Sequence, residues 1–175
     1  MGTPENQYVL GPPPPAEAMG EKVAALYQYW LRIAPGPGLL PGRQHFDPCD
    51  LPGSLWPHLW LLDVLRDPVR FRYRLVGGAS AEVGGQGQVG RYVDEIELVG
   101  DAPFQFTGRL QRMLETREPE YYRGPPLQRH LTRLATLERL SLPLARDGIL
   151  VDMILNATVY EFHPGFRPAP RALWD

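Results

Sequence analysis

The stretch TLERLSLPLARDGILVDMILNATVYEF, residues 136–162, alternates apolar and other side chains on both sides of Asp147-Gly148. Leu140, Leu142 and Leu144 recur at every second position before that dipeptide. Ile149, Val151, Met153, Leu155, Ala157 and Val159 do so after it. A period of two places each set on one face of an extended strand. Asp-Gly between alternating segments is a strong short hairpin-turn signal. The segment is therefore read as two long antiparallel strands, 136–145 and 149–162.

Upstream, residues 58–65 (HLWLLDVL) form a nearly continuous apolar run, suited to a strand buried on both faces. Val69, Phe71, Tyr73 and Leu75 alternate with Arg70, Arg72 and Arg74, which predicts a second strand over 69–76. Arg66-Asp67-Pro68 is the turn between them. Asp63 is the expected ionic partner for the arginine face across the ladder. Residues 77–100 carry seven glycines, a pattern of short helical pieces with breaks. A longer helix follows over 104–116, with Phe106, Leu110, Met113 and Leu114 on one side. Residues 120–123 are a short strand, closed by Gly124-Pro125-Pro126. Two hairpins flanking a helical segment predict an α+β domain, an antiparallel sheet with helices on one side.

Before the first hairpin, residues 17–34 make the clearest helix. Met19, Val23, Leu26, Tyr27, Trp30 and Ile33 form one apolar stripe, and Pro35-Gly36 ends it. The stripe must be buried on the main domain or on a partner. Asp47-Pro48 and Asp50-Leu51-Pro52 are read as helix starts, with aspartate capping and proline in the first turn. Pro12–Pro15 favour a stiff polyproline tether. The organisation expected is a Pro-rich tether at 1–16, a helix and Pro-rich loop at 17–57, the sheet domain at 58–162 and a tail at 163–175.

The composition fits that division. The 175 residues include 20 Pro and 18 Gly, enough to raise disorder as a class. Four Trp, eight Tyr and six Phe argue against it. No apolar run reaches the ~18 residues of a membrane span, and no secretory leader is recognised, so a cytoplasmic location is expected. The single cysteine, Cys49, leaves no internal disulfide or cysteine-based metal site. A net charge of −2 argues against a nucleic-acid or membrane footprint.

Chemistry-bearing motifs are sparse. Residues 85–90, GQGQVG, match the dinucleotide fingerprint in letters. That motif works between a strand and the start of a helix, and here the strand ends near Val76, too early. A flexible turn is the expectation. His45, His58, His130 and His163 are dispersed without metal-ligand spacing, and no serine sits in a nucleophile elbow.

Several stretches, in this order and spacing, resemble the PAS domain superfamily, and in particular small stand-alone PAS proteins of alphaproteobacteria. They are Tyr29-Trp30-Leu31-Arg32, Phe46-Asp47-Pro48, Asp50-Leu51-Pro52, residues 71–77 (FRYRLVG), Gly90-Arg91, residues 138–144 (ERLSLPL), Asp147-Gly148 and Val151-Asp152-Met153. Together they span roughly residues 20–160. The resemblance implies a five-stranded antiparallel sheet with helices on one face enclosing a small cavity. The extra N-terminal helix would then lie on the outer face or on a second subunit. Cys49 lacks the Asn-Cys-Arg context of flavin photochemistry, and the 104–116 helix lacks a haem-ligating histidine. Both cofactors are therefore argued against, and any other is left open.

A sensory or regulatory module without an effector domain of its own is the leading expectation. It binds a small ligand or signals through protein contacts. Phe71, Tyr73, Phe106, Leu110, Met113, Leu142 and Met153 are the candidate pocket residues, unless they simply fill a core. Val23, Leu26, Tyr27 and Trp30 are the candidate interaction helix, toward a second copy or a signalling partner. A ligand-free adaptor is the alternative. An enzyme on a cone-shaped α+β fold is the least favoured, because no carboxylate can be placed on an inward face, and Asp152 alternates outward. Neither a catalytic nor a metal site is assigned.

Overall fold

The computed structural model describes residues 8–96, 102–126 and 133–166. The elements are β1 (Val9–Gly11), α1 (Glu21–Arg32), β2 (Leu59–Leu65), β3 (Arg70–Val76), α2 (Gly78–Gly84), α3 (Val93–Ile96), α4 (Ala102–Thr116), β4 (Glu120–Gly124), β5 (Leu134–Leu144) and β6 (Met153–Phe162). The strands form one antiparallel sheet in the order β1-β4-β5-β6-β2-β3. The chain thus has the PAS-like α+β class. The β2–β3 and β5–β6 hairpins lie side by side, and the helical segment connects them.

The sheet has six strands rather than five. Val9–Gly11, expected within the tether, pairs with Arg123–Tyr121 along the outer edge of β4. The pairing stops where Pro12–Pro15 begin, since proline has no N–H to donate to a ladder. Residues 1–7 of the expected tether and 167–175 of the expected tail lie outside the described residues.

Register decides which side chains share a face. Leu140 opposes Ala157, Leu142 opposes Leu155, and Leu144 opposes Met153. Leu61 opposes Leu155 on the same side. This outer face is covered by α1. Gly20 N donates to Glu138 Oε1 at 2.9 Å, and Trp30 Nε1 to the Pro143 carbonyl at 3.0 Å. Val23 and Leu26 are fully buried there, each worth about 1.5–3 kcal/mol relative to exposure. Farther along, over β2 and β3, the same face carries Asp63 between Arg72 (3.0 Å) and Arg74 (3.2 Å), as the alternation predicted.

The inner face carries Trp60, Leu62, Phe71 and Tyr73 from β2 and β3, with Ser141, Ile154, Asn156 and Thr158 from β5 and β6. Helix α4 covers it through Phe106, whose ring centroid lies 6.0 Å from that of Trp60. Helix α2 packs alongside, with Ser80 Oγ donating to the His58 carbonyl at 3.4 Å. Helix α3 is tied to β3 by Arg70, which pairs with Asp94 at 2.9 Å and lies over the Tyr92 ring.

Three local expectations are corrected. The Asp147-Gly148 hairpin is wider than a short turn. Asp147 Oδ1 accepts from Ile149 N (2.8 Å) and Leu150 N (2.7 Å), which holds 146–152 as a loop and starts β6 only at Met153. Ile149 is consequently exposed. In β3 the register slips opposite Leu61/Leu62, so Leu75 turns to the outer face and away from Phe71 and Tyr73. Asp47 does cap, accepting from Cys49 N at 2.9 Å, but Asp50 does not. The short helix at Gly53–His58 begins after Pro52 without a side-chain cap.

Candidate functional site

The inner face of β5, β6 and β2 holds polar groups inside an otherwise apolar layer. Ser141, Asn156 and Thr158 are all buried. Ser141 Oγ donates to Asn156 Oδ1 at 2.6 Å, and Asn156 Nδ2 to the Ile154 carbonyl at 3.3 Å. Trp60 Nε1 donates to Thr158 Oγ1 at 2.9 Å. Buried polar groups without partners cost roughly 1–3 kcal/mol each, and this ladder satisfies them locally. Burial raises the phenol pKa of Tyr160, next on the same face, and the Ser80 and Thr158 side chains oppose that.

Toward β4 the face becomes cationic. Arg139 on β5 and Arg109 on α4 both lie over Phe106, at 4.5 and 5.6 Å from its centroid. Both also lie over Tyr122, at 5.7 and 6.0 Å. Arg109 Nε is 3.3 Å from Glu120 Oε1. Burial raises the Tyr122 phenol above its ordinary value, and the two guanidinium charges oppose that. A groove of about 280 Å³ opens beside Arg109, between β1 (Leu10, Gly11), Pro12 and α4 (Arg109, Arg112, Met113).

The candidate pocket residues divide between the two faces. Phe71, Tyr73, Phe106, Leu110 and Met113 belong to the helix-covered side and are all buried. Trp60 joins them, 5.9 Å from Tyr73 between ring centroids. Leu142 and Met153 do not line that side. Their pairing with Leu155 and Leu144 puts them on the outer face, under α1. The alternation was right, but nothing in it told which helix each face meets. The polar residues in phase with one another, Arg139 and Ser141 on one strand and Asn156 and Thr158 on the next, carried the missing signal.

The candidate interaction helix is also corrected. Val23, Leu26 and Trp30 are spent on the chain's own sheet. Tyr27 is half-buried and stacks on Trp30 at 6.2 Å, and burial raises its phenol pKa.

The remaining motifs stay outside this site. Residues 85–90 form a loop between α2 and α3, with Gly85, Gly87 and Gly90 at left-handed φ of 95°, 76° and 87°. Cys49 is exposed in its short turn. His45 Nδ1 accepts from Gly42 N at 2.9 Å, and His58 Nδ1 lies 3.0 Å from the Thr158 carbonyl. His130 lies outside the described residues. Among the described residues no His, Cys, Asp and Glu cluster suits a metal ion, and no helix is long and apolar enough to cross a membrane.

Neither a protein-family model nor a curated protein matches this chain. Among solved structures it is similar to that of an RNA-binding light-oxygen-voltage receptor, at 11% identity and a TM-score of 0.48. The match covers 91% of this chain and 40% of the receptor chain, so this chain spans about 40% of that receptor's length. The sheet's own strand order, two antiparallel hairpins side by side joined by helices that cover one face, is the α+β arrangement that the resemblance implied.

Proposed function

We propose that this chain is a PAS-like sensory or regulatory module that takes a small ligand between the inner face of its sheet and α4. It passes the event on through contacts with a second copy or a signalling protein. The observation that carries this reading is the polar ladder of Ser141, Asn156, Thr158 and Trp60 beneath a helix held by aromatic contacts. A layer meant only to fill space would use apolar residues there. In ligand pockets, a few convergent polar groups within an apolar lining fix the ligand's orientation.

The reading is non-enzymatic. Glu120, a carboxylate on the inner face, is tied to Arg109, and Asp152 turns its carboxylate to the Arg146 amide. Neither is placed as a free acid or base. Because the α1 stripe is used internally, output goes through other apolar surface, such as Ile149, Leu150 and Leu39 around the hairpin loop.

Native mass spectrometry of the protein isolated from cells, with thermal-shift measurements against a metabolite panel, tests the proposal. A co-purified small molecule, or stabilisation by several degrees with one compound class, is expected. A clean apo mass and no stabilisation by any compound would overturn it.

A further inference from the structure

We infer that Arg109 is the anchor for a small carboxylate, taken up through the groove between β1 and α4. The inference rests on the sensory reading and specifies the ligand class for the cationic end of the inner face, beside β4. Three observations carry it. First, the Arg109 side chain is 14% exposed, and its carboxylate neighbour Glu120 lies 3.3 Å from Nε. The buried Nη2 makes no hydrogen bond. A guanidinium presents five N–H donors in a planar fork that matches a carboxylate, and a buried one left short of acceptors is costly. Second, Arg139 stands over the same two rings, Phe106 and Tyr122, and adds a second positive charge. Third, the groove of about 280 Å³ reaches Arg109 from outside. That volume suits a small acid and is below the usual range for nucleotide- or drug-sized ligands. Arg112, Glu118 and Glu120 also line the groove, and Glu120 is the carboxylate beside Arg109 that a ligand carboxylate would displace.

The same geometry couples occupancy to the fold. Nη2 is buried, so an anion reaches it only as α4 shifts against β4.

The test is calorimetric titration of the full chain with benzoate, phthalate, citrate, inorganic phosphate and the neutral analogue benzamide. At least one carboxylate is expected to bind, and benzamide at least about tenfold more weakly than benzoate, the loss of one charge-assisted pair. Arg109→Gln and Arg109→Lys are each expected to weaken the carboxylate about tenfold, the second because it keeps the charge and loses the fork. Arg112→Gln is expected to change it by less than about threefold. Benzamide binding as tightly as benzoate overturns the inference without any variant. So does unchanged affinity in both Arg109 variants. Phosphate binding as tightly as the best carboxylate replaces a carboxylate site with a general oxyanion site and overturns the assignment. If no anion binds but a neutral compound co-purifies, the carboxylate falls and the sensory reading stands. If neither occurs, both fall.

Discussion

Glu138 is the residue through which the outer layer is fastened. It is buried on β5, accepts from Gly20 N at the start of α1, and accepts from Tyr121 OH on β4 at 2.7 Å. Burial, and then the Glu138 hydrogen bond and charge, push the Tyr121 phenol up to about 12. Glu138→Ala removes the acceptor for the buried Tyr121 hydroxyl and the half-buried Gly20 amide. It is expected to cost about 2–4 kcal/mol in urea unfolding, with Glu138→Gln costing less because an acceptor remains. Gly20 belongs to the same arrangement, since a Cβ there would approach Glu138 Oε2 far inside contact distance. His58 acts with the opposite sign to Tyr121. Burial lowers its pKa, the Lys22 charge adds to this, and the Thr158 carbonyl opposes it. The folded state therefore binds the proton less readily than the unfolded chain. The stability His58 contributes is complete above its ordinary value of roughly 6.5 and is lost as pH falls below it. Melting temperatures across pH 5 to 7, roughly the window in which imidazole titrates, are expected to fall less steeply in His58→Gln than in the parent.

Helix α1 shows how far periodicity reaches. Its stripe was legible because Val23, Leu26 and Trp30 recur at helical spacing. Its destination was not, because an apolar stripe fits the chain's own sheet and a partner equally well. The hydrogen bond from Trp30 Nε1 to the Pro143 carbonyl, across 113 residues, puts Trp30 on the chain's own sheet, and no local pattern encodes such a contact. Trp30→Glu, which places a charge in this layer, is expected to unfold α1 from the sheet and lower the melting temperature sharply. Leu26→Ala is expected to cost about 2–5 kcal/mol. Trp30→Phe keeps an aromatic ring but loses the indole N–H and part of the buried volume, and is expected to cost about 1–3 kcal/mol. Sedimentation velocity on Trp30→Phe is expected to show the parent's association state, and a change would mean that the stripe also serves a partner. The strands carry a similar lesson. Phe71 and Tyr73 obey the alternation, whereas Leu75 departs from it because the register slips by one residue opposite Leu61/Leu62. A slip of that kind depends on how two strands meet and leaves no mark in either one.

At the scale of the molecule, one sheet serves two layers, and both share a single hydrophobic cluster running from Val23 of α1 to Phe106 of α4. The order of elements was legible from hairpins and helical stripes. The side on which each helix lies was not, and for that reason Leu142 and Met153 were assigned to the wrong layer while Arg109 and Tyr122 went unnoticed. The sixth strand was hidden for another reason: Val9–Gly11 is short, precedes a proline run, and gains its structure only from the open edge of β4. That edge makes a direct prediction. Residues 121–123 of β4 bond to β5 on one side and to β1 on the other. The Tyr8 ring also rests 6.2 Å from Tyr122. A chain beginning at Pro13 keeps β2 to β6 and the shared core, so its far-ultraviolet dichroism should match the full-length protein. It leaves the N–H and C=O groups of β4 without their outer partner, beside Tyr122 and the groove. Unpaired edges of this kind recruit strands from other chains. Sedimentation velocity at several concentrations is expected to show more association for the shortened chain than for the full one. Equal behaviour at every concentration would mean that β1 fills space beside α4 without protecting the edge.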